Sequence, residues 1–207
     1  VFWNRVGDTS IFNGKTTEAG WQAVAQTTQE HLLMFNYQGD GNGRHNLPGE
    51  PMLDSISGAL LVLGVGLSLW RFRQPASFLL LAWLLVMLAP GIFSLDFESP
   101  QSLRAIGSLP AAYLLAIVPI HALWQAWEQS AGKRQPGYFL MPLLLILGSS
   151  GYFNYSIYFD RQANSGASWA AFSTPETLAG KVMAELGNSA EFYVSTFYFQ
   201  TPTISFL

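Results

Sequence analysis

The basic side chains in two short segments are the groups of this sequence best suited to chemistry. Arg44, His45 and Asn46 stand together in a glycine-rich segment, and Arg104 lies in a second polar segment. A guanidinium group offers a planar fork of donors and stays charged at any relevant pH, so it suits a phosphate group. An imidazole or amide beside it can donate further hydrogen bonds or orient the ligand. These residue types predict a site that handles phosphate.

Each of these residues also has a purely structural interpretation, which the sequence leaves open. The acids near enough in sequence to pair with the two arginines are Asp96 and Glu98 for Arg104, and Asp40 and Glu50 for Arg44. A loop histidine without a metal partner, such as His45, is often simply solvated. The phosphate interpretation therefore depends on where the surrounding elements place these side chains.

The elements that must position these segments are apolar. Half of the 207 residues are hydrophobic and 11% are charged, whereas about 25% charged residues is usual in soluble domains. Four stretches without any Asp, Glu, Lys or Arg have about the length that crosses a bilayer core. The predicted spans are 53–70, 76–95, 109–127 and 137–159. The predicted fold class is a mainly α, polytopic membrane protein with about four transmembrane helices. A net charge of −3 disfavours a nucleic-acid partner.

The charged residues between the spans predict the orientation in the membrane. Arg71 and Arg73 follow the first span, and Lys133 and Arg134 follow the third. Basic connections stay in the cytoplasm, so the other connections and the C-terminal region are predicted to be extracytoplasmic. Arg44 and Arg104 then lie on the outer side, where the orientation rule does not account for them.

The N-terminal region, residues 1–52, is predicted to be an extracytoplasmic loop with one amphipathic helix. Apolar residues recur at three- and four-residue steps over 17–36, and Thr17 before Glu18 predicts the N-cap. The helix is too polar to span, so it lies at a membrane surface or packs within a larger lobe. His31 on its apolar face is predicted to be packed or interfacial.

The C-terminal region, residues 160–207, follows the four-helix region 53–159 and is predicted to begin an extracytoplasmic α/β domain. Residues 173–176 (Ser-Thr-Pro-Glu) predict a helix start with a hydroxyl cap, and Gly187 predicts its end. Alternation over 191–199 predicts a strand. Because this domain stops at its first strand, we expect the chain to be a piece of a longer protein.

The two loop segments also carry a family resemblance. Residues 34–54 read MFNYQGDGNGRHNLPGEPMLD, the next span opens with Gly58-Ala59-Leu60, and residues 102–110 read SLRAIGSLP. This pattern resembles the C-terminal half of bacterial glycosyltransferases of the dolichyl-phosphate-mannose protein mannosyltransferase type. That group is family 39, with the aminoarabinose-transferase-like branch, of the GT-C membrane fold.

The resemblance implies an enzyme of the bacterial plasma membrane that moves a sugar from a polyprenyl-phosphate carrier to an envelope acceptor on the outer face. Its partners would be the lipid-linked sugar donor and membrane lipid; no cofactor is evident, and a divalent cation is possible. The positions that match the family motifs, and that are expected to contact the carrier phosphate or sugar, are Arg44, His45, Asn46, Ser102 and Arg104.

The resemblance assigns no catalytic residue. In that family the essential acid lies in the first outer loop of the full protein, and no segment here matches that loop. The acids that fail to match its motif are Asp40, Asp54, Asp96 and Glu98. The sugar, the acceptor and the oligomeric state are left open.

Two alternatives belong to other functional classes. A transporter or channel would need ionisable groups or broken helices at the middle of the membrane, and only His121, Pro90 and Pro119 qualify. His121 lies in the middle of the third predicted span, where a histidine more often bonds to another helix than relays protons. A membrane-anchored scaffold is the other alternative.

Overall fold

The described part of the chain is mainly helical. The computed structural model describes residues 7–130 and 137–195. The helices are α1 (Thr17–Leu33), α2 (Ser55–Trp70), α3 (Pro75–Ile92), α4 (Leu109–Ser130), α5 (Gly137–Tyr155), α6 (Gly166–Ala171) and α7 (Thr174–Leu186). A π-helical segment, Ser156–Gln162, continues α5, and short 3-10 turns cover Asp96–Glu98, Ile106–Ser108 and Gly187–Ser189.

Three helical segments are long and apolar enough to cross a membrane. They are Pro75–Ile92, Ile106–Gln129 and Gly137–Gln162. The first predicted span, 53–70, forms the apolar α2, but this helix has only 16 residues. It starts at Ser55 because Asp54 caps it, accepting hydrogen bonds from the backbone N–H groups of residues 56 and 57 at 3.0 and 3.1 Å.

The helices run alternately between two ends. The loop end comprises the start of α2 and α4, the end of α3 and the end of α5. The turn end comprises the 71–74 turn between α2 and α3, together with the end of α4 and the start of α5. Pro90 and Pro119 lie inside α3 and α4, and both helices continue through them.

The core forms where α2, α3 and α4 meet. Gly64 of α2 lies so close to α4 that a Cβ atom there would stand 1.8 Å from the Leu115 carbonyl oxygen. The core side chains around this contact are Leu53, Leu61, Leu81, Leu84, Leu88, Ile92, Ala111, Ala112, Leu115 and Ala116. No residue of α5 or of its π-helical continuation is buried, so the apolar surface of the segment Gly137–Gln162 faces outward.

Helix α1 packs on the loop end of α3. The Thr27 hydroxyl donates to the Ile92 carbonyl at 2.9 Å, and His31 lies against Gly91. The predicted N-cap is wrong by one residue, because Thr16 is the capping residue and its hydroxyl accepts from Ala19 N–H at 3.3 Å. The helix also ends at position 33 rather than 36.

In the C-terminal region the predicted helix forms, but the predicted hydroxyl cap at its start does not. Helix α7 starts at Thr174, carries Pro in its first turn and ends before Gly187. Ser173 makes no side-chain capping bond, because its backbone has φ 52°. Of the predicted strand, residues 191–195 have no regular structure and 196–199 lie outside the described residues. The described residues contain no strand, and they show no α/β domain.

Candidate functional site

A buried carboxylate joins the two predicted site segments at the loop end. Asp40 is 2% exposed. One carboxylate oxygen, Oδ2, accepts hydrogen bonds from the backbone N–H of Ser102 at 2.9 Å and from its hydroxyl at 2.8 Å. The other, Oδ1, accepts from Asn42 N–H at 2.8 Å. Segments 62 positions apart in sequence are therefore fixed to each other by one side chain.

The same carboxylate orients His45. The Nδ1 atom of its imidazole lies 2.9 Å from Asp40 Oδ2. Because that oxygen accepts, Nδ1 carries the proton, and Nε2 is the nitrogen left to contact a ligand. The side chain is 17% exposed. The alternative of a solvated loop histidine is therefore not what the structure shows.

Asp40, His45 and Ser102 form a hydrogen-bonded group, called here the Asp40 cluster. Two cavities adjoin this cluster, and they differ in polarity. A cleft of about 330 Å³, called here the polar cleft, is lined by Asp40, Gly41, Asn42, Phe97, Glu98, Ser99 and Gln101. A pocket of about 240 Å³, called here the apolar pocket, is lined mainly by Met34, Phe35, Met52, Leu53, Ile106 and Leu109. His45 and Ser102 supply polar groups to the apolar pocket. The Asp40 cluster thus separates a polar space from an apolar one.

Asn46 closes the loop between α1 and α2, residues 34–54, called here the first loop, from inside. It is 7% exposed, and its amide donates to the Glu50 carbonyl at 2.6 Å and to the Asp40 carbonyl at 3.4 Å. The backbone N–H of Gly39 also donates to the Glu50 carbonyl, at 3.1 Å. In this structure Asn46 therefore shapes the loop that presents Asp40.

Arg44 lies apart from the cluster, and neither pairing predicted for it forms. Its guanidinium Nε donates to the carbonyl of Ala171 in α6, and the side chain is exposed. Asp40 is occupied by other donors, and Glu50 pairs with Arg161 instead. The contact helps to hold the 160–171 segment on the first loop, where the buried carbonyl of Gly43 accepts from the Ser168 hydroxyl at 3.0 Å.

Arg104 forms one of its two predicted pairs and keeps a further donor. Its Nη2 lies 3.5 Å from Glu98 Oε2, in a bridge whose side chains are 29% and 40% exposed. Gln101 connects the same residues, since its amide donates to Glu98 at 3.1 Å and accepts from Arg104 N–H at 3.2 Å. Arg104 Nη1 is buried and has no hydrogen-bond partner among the described residues. A buried donor without an acceptor costs about 1–3 kcal/mol.

His31 provides a second connection to the same loop. It is fully buried; its Nδ1 donates to the Thr27 carbonyl at 2.8 Å, and its Nε2 accepts from Gln101 N–H at 3.2 Å. Burial lowers the pKa of His31, and the smaller opposing effects of the Thr27 carbonyl and of the charges on Glu30 and Asp40 do not reverse this. Of the two alternatives predicted for His31, packed or interfacial, the structure shows the packed one.

Asp54 is a second buried acid that the sequence did not single out. Besides capping α2, its Oδ2 accepts from the Ser150 hydroxyl at 2.8 Å and from the Asn154 amide at 2.9 Å. These bonds attach the exposed helix α5 to the start of α2. They do not face either cavity, so Asp54 holds the scaffold together.

The sequence did not identify Asp40 as the centre of the site. One local signal was available, because an aspartate before Gly41 often accepts a bond from the N–H two residues on, as Asp40 does from Asn42. The hydrogen bonds that Asp40 accepts from His45 and Ser102 could not be predicted from the sequence, because they depend on how the chain folds.

Among the described residues, no group of three or more His, Asp or Glu side chains is placed to hold a metal ion. The divalent cation stays a prediction. No protein-family model, curated protein or solved structure matches this chain.

Proposed function

We propose that this chain is part of an integral-membrane glycosyltransferase that takes a sugar from a polyprenyl-phosphate carrier. The observation that supports this most is the position of the Asp40 cluster between a polar cleft and an apolar pocket. A lipid-linked sugar is divided in the same way. Its phosphate and sugar are polar, as the cleft is, and its isoprenoid chain is apolar, as the pocket is.

The apolar pocket lies where a lipid could reach it. Its lining residues Ile106 and Leu109 begin the segment Ile106–Gln129, which is apolar enough to cross a membrane. Burying isoprenoid carbon there is favourable by about 25 cal/mol per Å² of apolar surface. The polar head of the same molecule would then face His45 and Ser102.

The chain offers donors for the carrier phosphate rather than a base for the acceptor. Displacing a polyprenyl phosphate requires positive charge or donors at the leaving phosphate, and a base that activates the acceptor hydroxyl. Arg104 Nη1 is a buried donor without a partner among the described residues, and His45, whose Nδ1 is held by Asp40, lines the apolar pocket. We assign the carrier phosphate to these two groups and assign no base among the described residues.

Arg104→Ala in the full-length protein tests this proposal. We expect turnover of radiolabelled polyprenyl-phosphate sugars in membrane preparations to fall about a hundredfold or more, as when a donor to a developing oxyanion is lost. The control is Glu98→Gln, which removes the ion pair and keeps the guanidinium, and it should retain most of the turnover. Equal losses in both variants would mean that Arg104 serves only its pairing with Glu98.

A transporter is less well supported by the geometry. Helices α3 and α4 are continuous at Pro90 and Pro119. His121 is residue 13 of the 22 in α4, so its position within the span agrees with the prediction. It lines a cleft together with Arg71 and Gln74.

We propose the bacterial plasma membrane as the location, with the loop end outside.

A further inference from the structure

A second cleft lies at the turn end, away from the proposed transferase site. It has a volume of about 450 Å³ and lies between the start of α3 and the middle of α4. The polar residues that line it are Arg71, Gln74, Ser77, His121 and Gln125. Its apolar wall includes Leu80, Leu114 and Ile117. This turn-end cleft is polar on one side and apolar on the other.

The polar side of the cleft carries donors without acceptors. Arg71 is half-buried, and no described acid lines the cleft or forms an ion pair with its guanidinium. Ser77 is 8% exposed, and within the described segments its hydroxyl has no hydrogen-bond partner. Gln74 at the start of α3 makes no side-chain capping bond, so its side chain leaves the first N–H groups after Pro75 uncapped.

These groups fit an anion better than a neutral ligand. A guanidinium and a helix N-terminus both favour negative charge, and a hydroxyl adds a hydrogen bond. His121 stands on the facing helix and can donate to the same group. The ligand chemistry is therefore that of a phosphate.

The apolar wall of the cleft indicates that this phosphate belongs to a lipid rather than to a free anion. Leu114 and Ile117, which line the cleft on α4, are 44% and 53% exposed, and Leu80 lines it on α3. Both helices are long and apolar enough to cross a membrane, so this surface would continue from the cleft along acyl chains. A free anion would use only the polar side.

We infer that the turn-end cleft binds the phosphate of an anionic glycerophospholipid, with an acyl chain along α3 and α4. The lipid would lock the 71–74 turn against α4. This inference does not rest on the transferase proposal, because the two sites share no residue.

The test is native mass spectrometry of the full-length protein released from detergent with added lipid. We expect phosphatidylglycerol to be retained over phosphatidylcholine, and Arg71→Ala to lower that retention about tenfold. Arg73→Ala is the matched control, since Arg73 is exposed on the same turn and does not line the cleft. It should retain the lipid as the unmodified protein does.

A second variant, His121→Ala, covers the case in which Arg71→Ala fails to fold, and it should also lower retention. Millimolar inorganic phosphate should not displace the lipid, because it lacks the apolar contact. Equal retention of both lipids, equal losses in the Arg71 and Arg73 variants, or full displacement by inorganic phosphate would each overturn the inference.

Discussion

Both ends of the helices carry an arginine and place a histidine beside a cavity, but only one end supplies acids for these basic groups. At the loop end, His45 bonds to the buried Asp40, and Arg104 pairs with Glu98. At the turn end, no described acid lines the cleft that holds Arg71 and His121. The loop end is thus largely organised by its own hydrogen bonds, whereas the turn end presents donors that need an outside partner.

The difference follows from how much chain reaches each end. Segments from the first loop, from 99–105 and from 162–171 converge at the loop end, where Asp40 is buried. A buried carboxylate is stable only when donors surround it, and the first two of these segments supply the donors. The turn end has a connection of four residues between α2 and α3, so its polar groups stay closer to the surface.

The largest expected effect comes from a change between the two ends. Gly64→Ala would place a Cβ 1.8 Å from the Leu115 carbonyl oxygen, a backbone atom that moves only if α2 and α4 separate. We expect destabilisation of about 3 kcal/mol, together with loosening of both ends. Unfolding by SDS, followed by tryptophan fluorescence, measures it.

Gly66→Ala on the same helix is the control, because a Cβ there meets no atom within 4 Å. It should leave the unfolding midpoint unchanged or raise it slightly. If both variants unfold alike, the α2–α4 contact does not couple the ends.

Removing the acid should make the loop end resemble the turn end. Asp40→Asn keeps the shape but turns an amide NH₂ toward another donor. This donor is the Asn42 N–H if the NH₂ replaces Oδ1, or His45 and Ser102 if it replaces Oδ2. We expect a loss of about 2 kcal/mol in the free energy of unfolding. Asp96→Asn is the surface control, since Asp96 is 38% exposed and pairs with Lys15 at 2.9 Å; it should lose less than about 1 kcal/mol. Similar losses of stability in the two variants would show that the buried Asp40 network stabilises the fold no more than the exposed pair of Asp96 and Lys15 does.

Detaching the C-terminal segment should weaken the loop end alone. Gly43→Ala would bring a Cβ within 2.6 Å of the Ala167 backbone, whereas Gly41→Ala meets open space. We expect about 1 kcal/mol of destabilisation and faster proteolysis near residue 165 in the first variant only. Lipid retention at the turn end should not change, and a change there would break the separation of the two ends.

The smallest effect concerns pH at the loop end. The pKa of His31 is lowered from its ordinary 6.5, so the unfolded chain takes up a proton near pH 6.5 and the folded chain only at a lower pH. The free energy of unfolding should therefore fall as the pH drops below 6.5 and level off below the folded pKa. His31→Gln keeps a donor and an acceptor but does not titrate, and its unfolding midpoint should fall less. Parallel curves for both proteins would contradict this assignment.

The sequence alone predicted most of the helices but little of the site. Runs without charge located α2 to α5, because apolar length is a local property that a membrane helix must satisfy. The predicted site residues are only partly brought together: the fold gathers His45, Asn46 and Ser102 around Asp40 and leaves Arg44 on the surface near α6. Whether these residues contact a carrier phosphate is still a prediction.

Composition and pattern by themselves determined that this chain is mainly helical, apolar and suited to a membrane. Only the tertiary structure decided which acid each basic group meets. Asp40, Glu50 and Glu98 are all close in sequence to an arginine, yet only Glu98 pairs with its predicted partner. Pairing depends on which segments bury a carboxylate and supply its donors, and those segments come from distant parts of the chain.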